Sequence, residues 1–381
     1  MVNSRAIAAA SFAVLGAVAI WASCAVYDRS LLVDGAPDAG DTSPNEAAID
    51  AGGCTGASIP GRPVADDQAV LDGGELTMTV SAFDFDPNVG NGLRGWDLDR
   101  SCTCPGPPSC KAAKPQCDDE AGRDNVGGLQ LKAFSQVADA FNPAELNARL
   151  AQGLYGLLVR VRGWNGAAND TSVEAALYVS KGTETVGDSG VRVVPKFDGT
   201  DVFSVATSSL LGGVAPPYIP LPDAIDTAAY VKDGVLVANN ANVRFEFSTS
   251  ATGDNALVLN LTGVILTGTL TKAKGGYGLI NGTLAGRWAI RRMLVALAPL
   301  YDPIGGGFLC GDASTYQTIK SFVCGSVDIT ELPQNDNTNA KCDALSIGLG
   351  FTAVPVTFGA VQAGTQLAEP CGPQWVDDCP P

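Results

Sequence analysis

The chain is 381 residues long, carries 40 acidic against 24 basic side chains for a net charge of −16, and contains no histidine. That balance speaks against a nucleic-acid partner, whose phosphates would be repelled. The missing imidazole excludes His-based triads, His general acid–base chemistry and His-ligated zinc or iron.

The first feature in the chain is an export leader. Arg5 supplies a positive start, an uncharged apolar run extends from Ala6 to Ala22, and the run ends in Trp21-Ala22-Ser23-Cys24. This ending resembles the lipobox of bacterial lipoproteins, in which small residues admit the peptidase and the cysteine thiol takes a diacylglycerol; Trp21 stands where that pattern has Leu. Residues 1–24 are therefore read as a signal peptide, with Cys24 as the lipid-attachment residue. Ordinary cleavage near Ala25, or retention of Ala6 to Val26 as one spanning helix, are the competing outcomes. Residues 25–53 follow as a flexible acidic linker, too poor in large apolar side chains to offset chain entropy. Its mean reach is roughly 30 Å, from about 5–6 Å times the square root of its length.

Residues 54–381 suffice for one well-buried core and read as a single β-rich, disulfide-containing domain, with a cysteine-rich loop region at 84–125. The first strand is Leu76, Met78 and Val80 alternating with Thr77 and Thr79. Acidic residues come next, in Phe83-Asp84-Phe85-Asp86-Pro87-Asn88 and Trp96-Asp97-Leu98-Asp99, and again in Cys117-Asp118-Asp119 and Arg123-Asp124-Asn125. Oxygen ligands at alternate positions are how calcium loops wrap a hard cation, so Asp84, Asp86, Asn88, Asp97 and Asp99 form the expected structural calcium site. Solvated Asx turns are the plainer reading. An EF-type loop would have Gly in place of Val89 and Glu in place of Gly95, so that family is not indicated.

Eleven cysteines become ten once Cys24 leaves the thiol pool, an even set for five bridges in an exported chain. Cys102, Cys104, Cys110 and Cys117 crowd into a proline-rich loop without the C-x-x-C pairs that suit zinc, and read as a disulfide knot. Cys54, Cys310, Cys324, Cys342, Cys371 and Cys379 complete the set. Proximity alone suggests pairing Cys310 with Cys324 and Cys371 with Cys379.

Asn142-Pro143-Ala144-Glu145 starts a helix that Gly153 stops. A strand over Leu157 to Arg162 leads into a loop holding Trp164, Asn165, Asn169 and Asp170. An aromatic beside Asn and Asp on a loop can offer a sugar a stacking face with polar fixers, so these four are the candidate ligand-binding residues. The alternative is an Asn165-Gly166 turn with Trp164 packed inward. Strands follow at Val173 to Ser180, Val191 to Val194, Asp201 to Val205, Val243 to Ser248, Ala256 to Leu261, Val264 to Thr271 and Gly278 to Ala285. Gly187-Asp188-Ser189-Gly190 looks like a protease serine loop, but without a His base it is a turn. Asp233-Gly234 turns a hairpin. Arg287 to Ala298 and Ser314 to Val323 have helical spacing.

Strands succeeding one another without intervening helices indicate a mainly β fold, an antiparallel β-sandwich or jelly-roll-like domain with two or three short helices. A hydrolase would need a carboxylate pair, and Glu174 and Glu246 sit on strands, on faces expected to be exposed. Gly95-Trp96-Asp97-Leu98-Asp99, the Cys102 to Cys117 cluster, Asp124-Asn125, Trp164-Asn165-Gly166 and Gly282-Thr283-Leu284-Ala285-Gly286-Arg287-Trp288 together resemble a group of uncharacterised exported lipoproteins of high-GC Gram-negative bacteria. The resemblance implies export and a shared domain, and brings no activity and no catalytic residues. The expected protein is a lipoprotein of the outer membrane or cell surface, held to the membrane by its N-terminal lipid. Its expected role is binding or structural, with a glycan or surface protein as partner. A His-independent polysaccharide hydrolase is the alternative.

Overall fold

Alternation at Leu76 to Val80 marks where the sheet begins: β1 (Glu75–Asp84) buries Met78 and Val80. There follow the two-residue β2 (Asn88–Val89) and β3 (Gly92–Leu93), helices α1 (Val126–Phe134) and α2 (Pro143–Ala151), β4 (Gly156–Arg162) and β5 (Asp170–Ser180). Next come the short β6 (Thr185–Val186) and β7 (Val191–Arg192), then β8 (Val202–Ala206), β9 (Ala224–Lys232), β10 (Val235–Ser248), β11 (Ala256–Ala273) and β12 (Gly276–Ala289). Helices α3 (Ile290–Leu297) and α4 (Ser314–Cys324) precede β13 (Ala344–Pro355) and β14 (Thr357–Gln362). This computed structural model describes residues 54, 56–135, 141–186, 191–213, 221–249, 256–301, 306–311, 313–365, 369–372 and 375–380. The leader with Cys24, the linker and the Gly187-Asp188-Ser189-Gly190 string lie outside the described residues.

Eight strands close into an antiparallel barrel in the order β1-β13-β12-β11-β10-β9-β5-β4, and the seam is sealed where Glu75 to Thr79 pair with Arg162 to Leu158. The mainly β, antiparallel, disulfide-stapled class is as the sequence indicates. Where a sandwich or jelly roll has two facing sheets, here a single sheet curls until its own edges pair. Closure leaves the main sheet no free edge strand. Alternation reveals that one face is buried, but a second sheet and the far wall of the same sheet bury it alike.

The barrel interior holds Val80, Val161, Phe245, Leu259, Leu261 and Leu349 among its core side chains. At the end where β1 finishes, the helices cover it, and Phe134, Leu146, Met293 and Leu297 join the same core. At the other end Trp164 meets the ring of Tyr277 edge-on, with centroids 4.9 Å apart. Outside β4 and β5, the parallel pair β8–β14 forms a further layer, packing Phe203, Val205 and Val356 against Leu158, Ala176 and Tyr178.

Several elements differ from the sequence reading. Ala256 to Leu261 and Val264 to Thr271 are halves of one strand, β11. The buried residues change parity across Gly263, whose φ of +55° suits glycine. Helix α3 starts at Ile290 rather than Arg287, because Arg287 and Trp288 are still pairing with Ser346 and Leu345 in the sheet. Helix α1 was hidden by Gly127 and Gly128, which are poor helix formers. A Cβ at Gly127 would stand 2.6 Å from the Ser346 carbonyl oxygen, so glycine is what lets this helix lie against β13.

Five disulfides join Cys54 to Cys102, Cys104 to Cys117, Cys110 to Cys342, Cys310 to Cys371 and Cys324 to Cys379. The expected pairing of Cys310 with Cys324 and Cys371 with Cys379 is overturned. Cys324 is the last residue of the eleven-residue helix α4, and Cys310 precedes its first turn; at about 1.5 Å per residue the helix holds them too far apart to bridge. The C-terminal segment instead folds back over α4 and is stapled on both sides of it.

Candidate functional site

The disulfide-tied loop after β3 folds so that its carboxylates converge. Carboxylate oxygens of Asp97, Asp99 and Asp124 all lie within 4.8 Å of one another. Backbone amides set their directions: Leu98 N donates to Asp124 at 2.7 Å, Arg100 N to Asp97 at 2.6 Å, and Ser101 N to Asp99 at 2.9 Å. Gly95, at φ +146°, makes the approach possible, since a Cβ there would stand 2.6 Å from the Asp124 carbonyl oxygen. Asp118 is held by Thr103 N at 2.6 Å, and Asp328 by Ser346 N at 3.0 Å.

Burial pushes the carboxyls of Asp118 and Asp328 up to about 7. Asp124 is driven well above the usual carboxylate range, first by burial and then by the charges of Asp99, Asp118 and Asp328. Asp99 is raised as well, again chiefly by burial. The guanidinium of Arg287, fully buried, is bound up elsewhere: it grips Asp336 at 2.8 and 2.6 Å and donates to the Leu98 and Thr330 carbonyls. Like charges packed this closely need either protons or a bound cation.

Of the expected calcium ligands, Asp97 and Asp99 belong to this cluster and Asp84, Asp86 and Asn88 do not. Asp84 pairs with Arg94, Asp86 with Lys132 at 3.2 Å, and Asn88 donates to Asp86 in an Asx turn. Alternate spacing on an exposed turn spreads the oxygens along the surface, and neighbouring cations take them. The carboxylate of this cluster that the sequence reading left out is Asp124, with Asp118 and Asp328 beside it. Asp118 and Asp124 carry a local signal as acidic flanks of the cysteine knot. Asp328 carries none, because it reaches the cluster only through the barrel.

The loop after β4 offers no stacking face. Trp164 is 4 % exposed, and its Nε1 donates to the Ala167 carbonyl at 3.0 Å. Asn165 bonds to the Asn169 carbonyl, Asn169 to Asp67, and the buried Asp170 accepts from Asn165 N at 2.7 Å. Trp164 is therefore packed inward, as in the turn alternative, and does not supply the stacking face expected of it. The indole packs edge-on against Tyr277 at this end of the barrel, and Asn165-Gly166, with Gly166 at φ +80°, turns the chain directly after it.

Glu174 is bound by Arg160 at 2.8 Å and by Arg162 at 3.7 Å. Glu246 accepts from Arg244 and Ser208, each at 2.8 Å, and is 5 % exposed rather than solvent-facing, because the segment after β8 covers it. The two lie on strands separated by β9 in the barrel and each is charge-paired, so they do not form a catalytic carboxylate pair.

No protein-family model, curated protein or solved structure matches this chain.

Proposed function

We propose that the protein is an exported, membrane-tethered lipoprotein with a binding or structural role, its barrel stiffened by calcium held among Asp97, Asp99 and Asp124. The convergence of those three carboxylates carries the calcium reading. Hard oxygen ligands suit calcium, whose flexible coordination tolerates an irregular loop better than the strict octahedron of magnesium. Asp97 and Asp99 are partly exposed and give the ion a way in, while Asp124 forms the floor. The five disulfides support an oxidising compartment, and the leader and Cys24 supply the tether.

Thermal unfolding of the protein in calcium and in chelator tests the site. At a free concentration of about 100 times Kd, calcium adds about 2.7 kcal/mol of stability. Asp124→Asn is expected to abolish this response while raising the stability of the metal-free protein, since a neutral amide can be buried there without the proton that the carboxyl must take up on folding. An identical melting temperature in calcium and chelator would overturn the calcium reading. Mass spectrometry of the mature N-terminus tests the tether: a diacylated Cys24 supports it, and an unmodified chain starting at Val26 removes it.

A further inference from the structure

Strands β9 and β10 pair only near their shared hairpin, from Tyr230–Val237 to Lys232–Val235. Beyond it the strands part, with Asp226 accepting from Asn239 N at 2.7 Å at the head of the split. The turn at Thr207–Ser209 borders the opening, which is a cavity of about 430 Å³, within the roughly 300–1,000 Å³ range of small-molecule sites.

The walls of this cavity are polar and carry unused hydrogen-bonding capacity. Arg244 is fixed through its Nε by Glu246, itself buried and further held by Ser208. Its terminal nitrogens have no other partner among the described residues. Arg292 enters from α3, anchored on Glu331 at 2.9 Å. Asn260 is the cross-strand partner of Arg244, and Asn242 lies two residues before Arg244 on β10; both side chains line the cavity without a partner among the described residues. Asp223 also lines the cavity, whose floor includes the apolar Val243 and Leu261.

We propose that this gap binds a sugar acid, a hydroxylated ring bearing a carboxylate. Two oriented guanidiniums on one cavity match a carboxylate, which they can grip through paired N–H groups. Asn242 and Asn260 each offer a donor and an acceptor, the combination that vicinal hydroxyls require. Asp223 distinguishes this ligand from a bare inorganic anion, which it would repel, because a carboxylate accepts from hydroxyls. An apolar ligand would leave these groups buried and unpaired.

This inference rests on the binding role proposed above. The test is calorimetric titration of the mature protein with D-glucuronate, D-glucose and inorganic phosphate at constant ionic strength. Glucuronate is expected to bind saturably at one site, with glucose and phosphate at least about tenfold weaker. Arg292→Gln and Asn242→Ala, at partly or well exposed side chains, are expected to keep the melting temperature while weakening glucuronate by roughly tenfold. No saturable glucuronate binding, equal binding of glucose or phosphate, or unchanged affinity in both variants would each overturn the site. A silent titration alongside a calcium-dependent melting shift and a lipidated Cys24 would remove this site alone and leave the broader reading intact.

Discussion

The side-chain amide of Asn125 and the backbone of Gly348 exchange two hydrogen bonds: Gly348 N donates to Asn125 Oδ1 at 2.7 Å, and Asn125 Nδ2 donates to the Gly348 carbonyl at 3.2 Å. The first half of β13 extends past the end of β1, so its edge lacks a strand there, and the amide of Asn125 stands in for one. The same Oδ1 accepts from Gly128 N at 3.0 Å and so caps α1. One fully buried residue thus ties the acidic loop, a helix and the barrel together.

Asn125→Ala leaves three buried backbone groups without partners and removes a helix cap. A loss of about 3 kcal/mol is expected in urea unfolding. An effect no larger than that of an average surface substitution, about 0.5 kcal/mol, would contradict this role.

The acidic cluster sets a pH dependence whose sign can be worked out. Asp118 and Asp328 hold their protons up to about 7 in the folded state, against an ordinary value of 3.8, and burial with the neighbouring carboxylates raises Asp124 well above that ordinary value too. Between those values the folded state binds more protons than the unfolded chain, so stability falls as pH rises. The contribution is fully present below about pH 4 and is lost as pH passes through 7. In chelator the melting temperature is expected to drop by roughly 5 °C or more from pH 5 to pH 8. Calcium should restore it at pH 8 and do little at pH 5. A melting temperature that is flat or rising over this window in chelator would refute the electrostatic account.

Trp164 closes one end of the barrel. Trp164→Ala is expected to cost about 3–5 kcal/mol, read as a lower denaturation midpoint, and to leave ligand affinity unchanged in whatever fraction remains folded. A folded, fully stable variant that had lost sugar binding would reinstate the stacking role that its burial excludes.

The disulfides should differ in weight. Cys110–Cys342 spans 232 residues and fastens the acidic loop beside the start of β13, whereas Cys104–Cys117 spans 13 residues within the loop. By loop-closure entropy, replacing both cysteines with serine should cost roughly 5 kcal/mol at the first bridge and roughly 3 at the second. Chemical denaturation of the two double variants checks the order, and the reverse order would count against it.

Features that local chemistry dictates are legible in the chain before it folds. Period-two alternation at Met78 and Val80 and at Phe245 and Phe247 marked strands, Asn142-Pro143 opened α2, and Asp233-Gly234, at φ of 52° and 80°, turned the hairpin. Each rests on interactions between residues a few positions apart, or on a one-sided burial pattern that any sheet partner produces. Tertiary structure alone decided how the sheet closes, which cysteines meet, and which carboxylates gather. Asp99 and Asp124 lie on either side of the cysteine knot and Asp328 comes from beyond α4, so their shared site exists only once the loop is pinned to β13 through Asn125 and Cys110. Trp164 looked the same in sequence whether it faced a ligand or the core. The open end of the barrel settled it, because burying the indole there removes more apolar surface from water than leaving it on the loop.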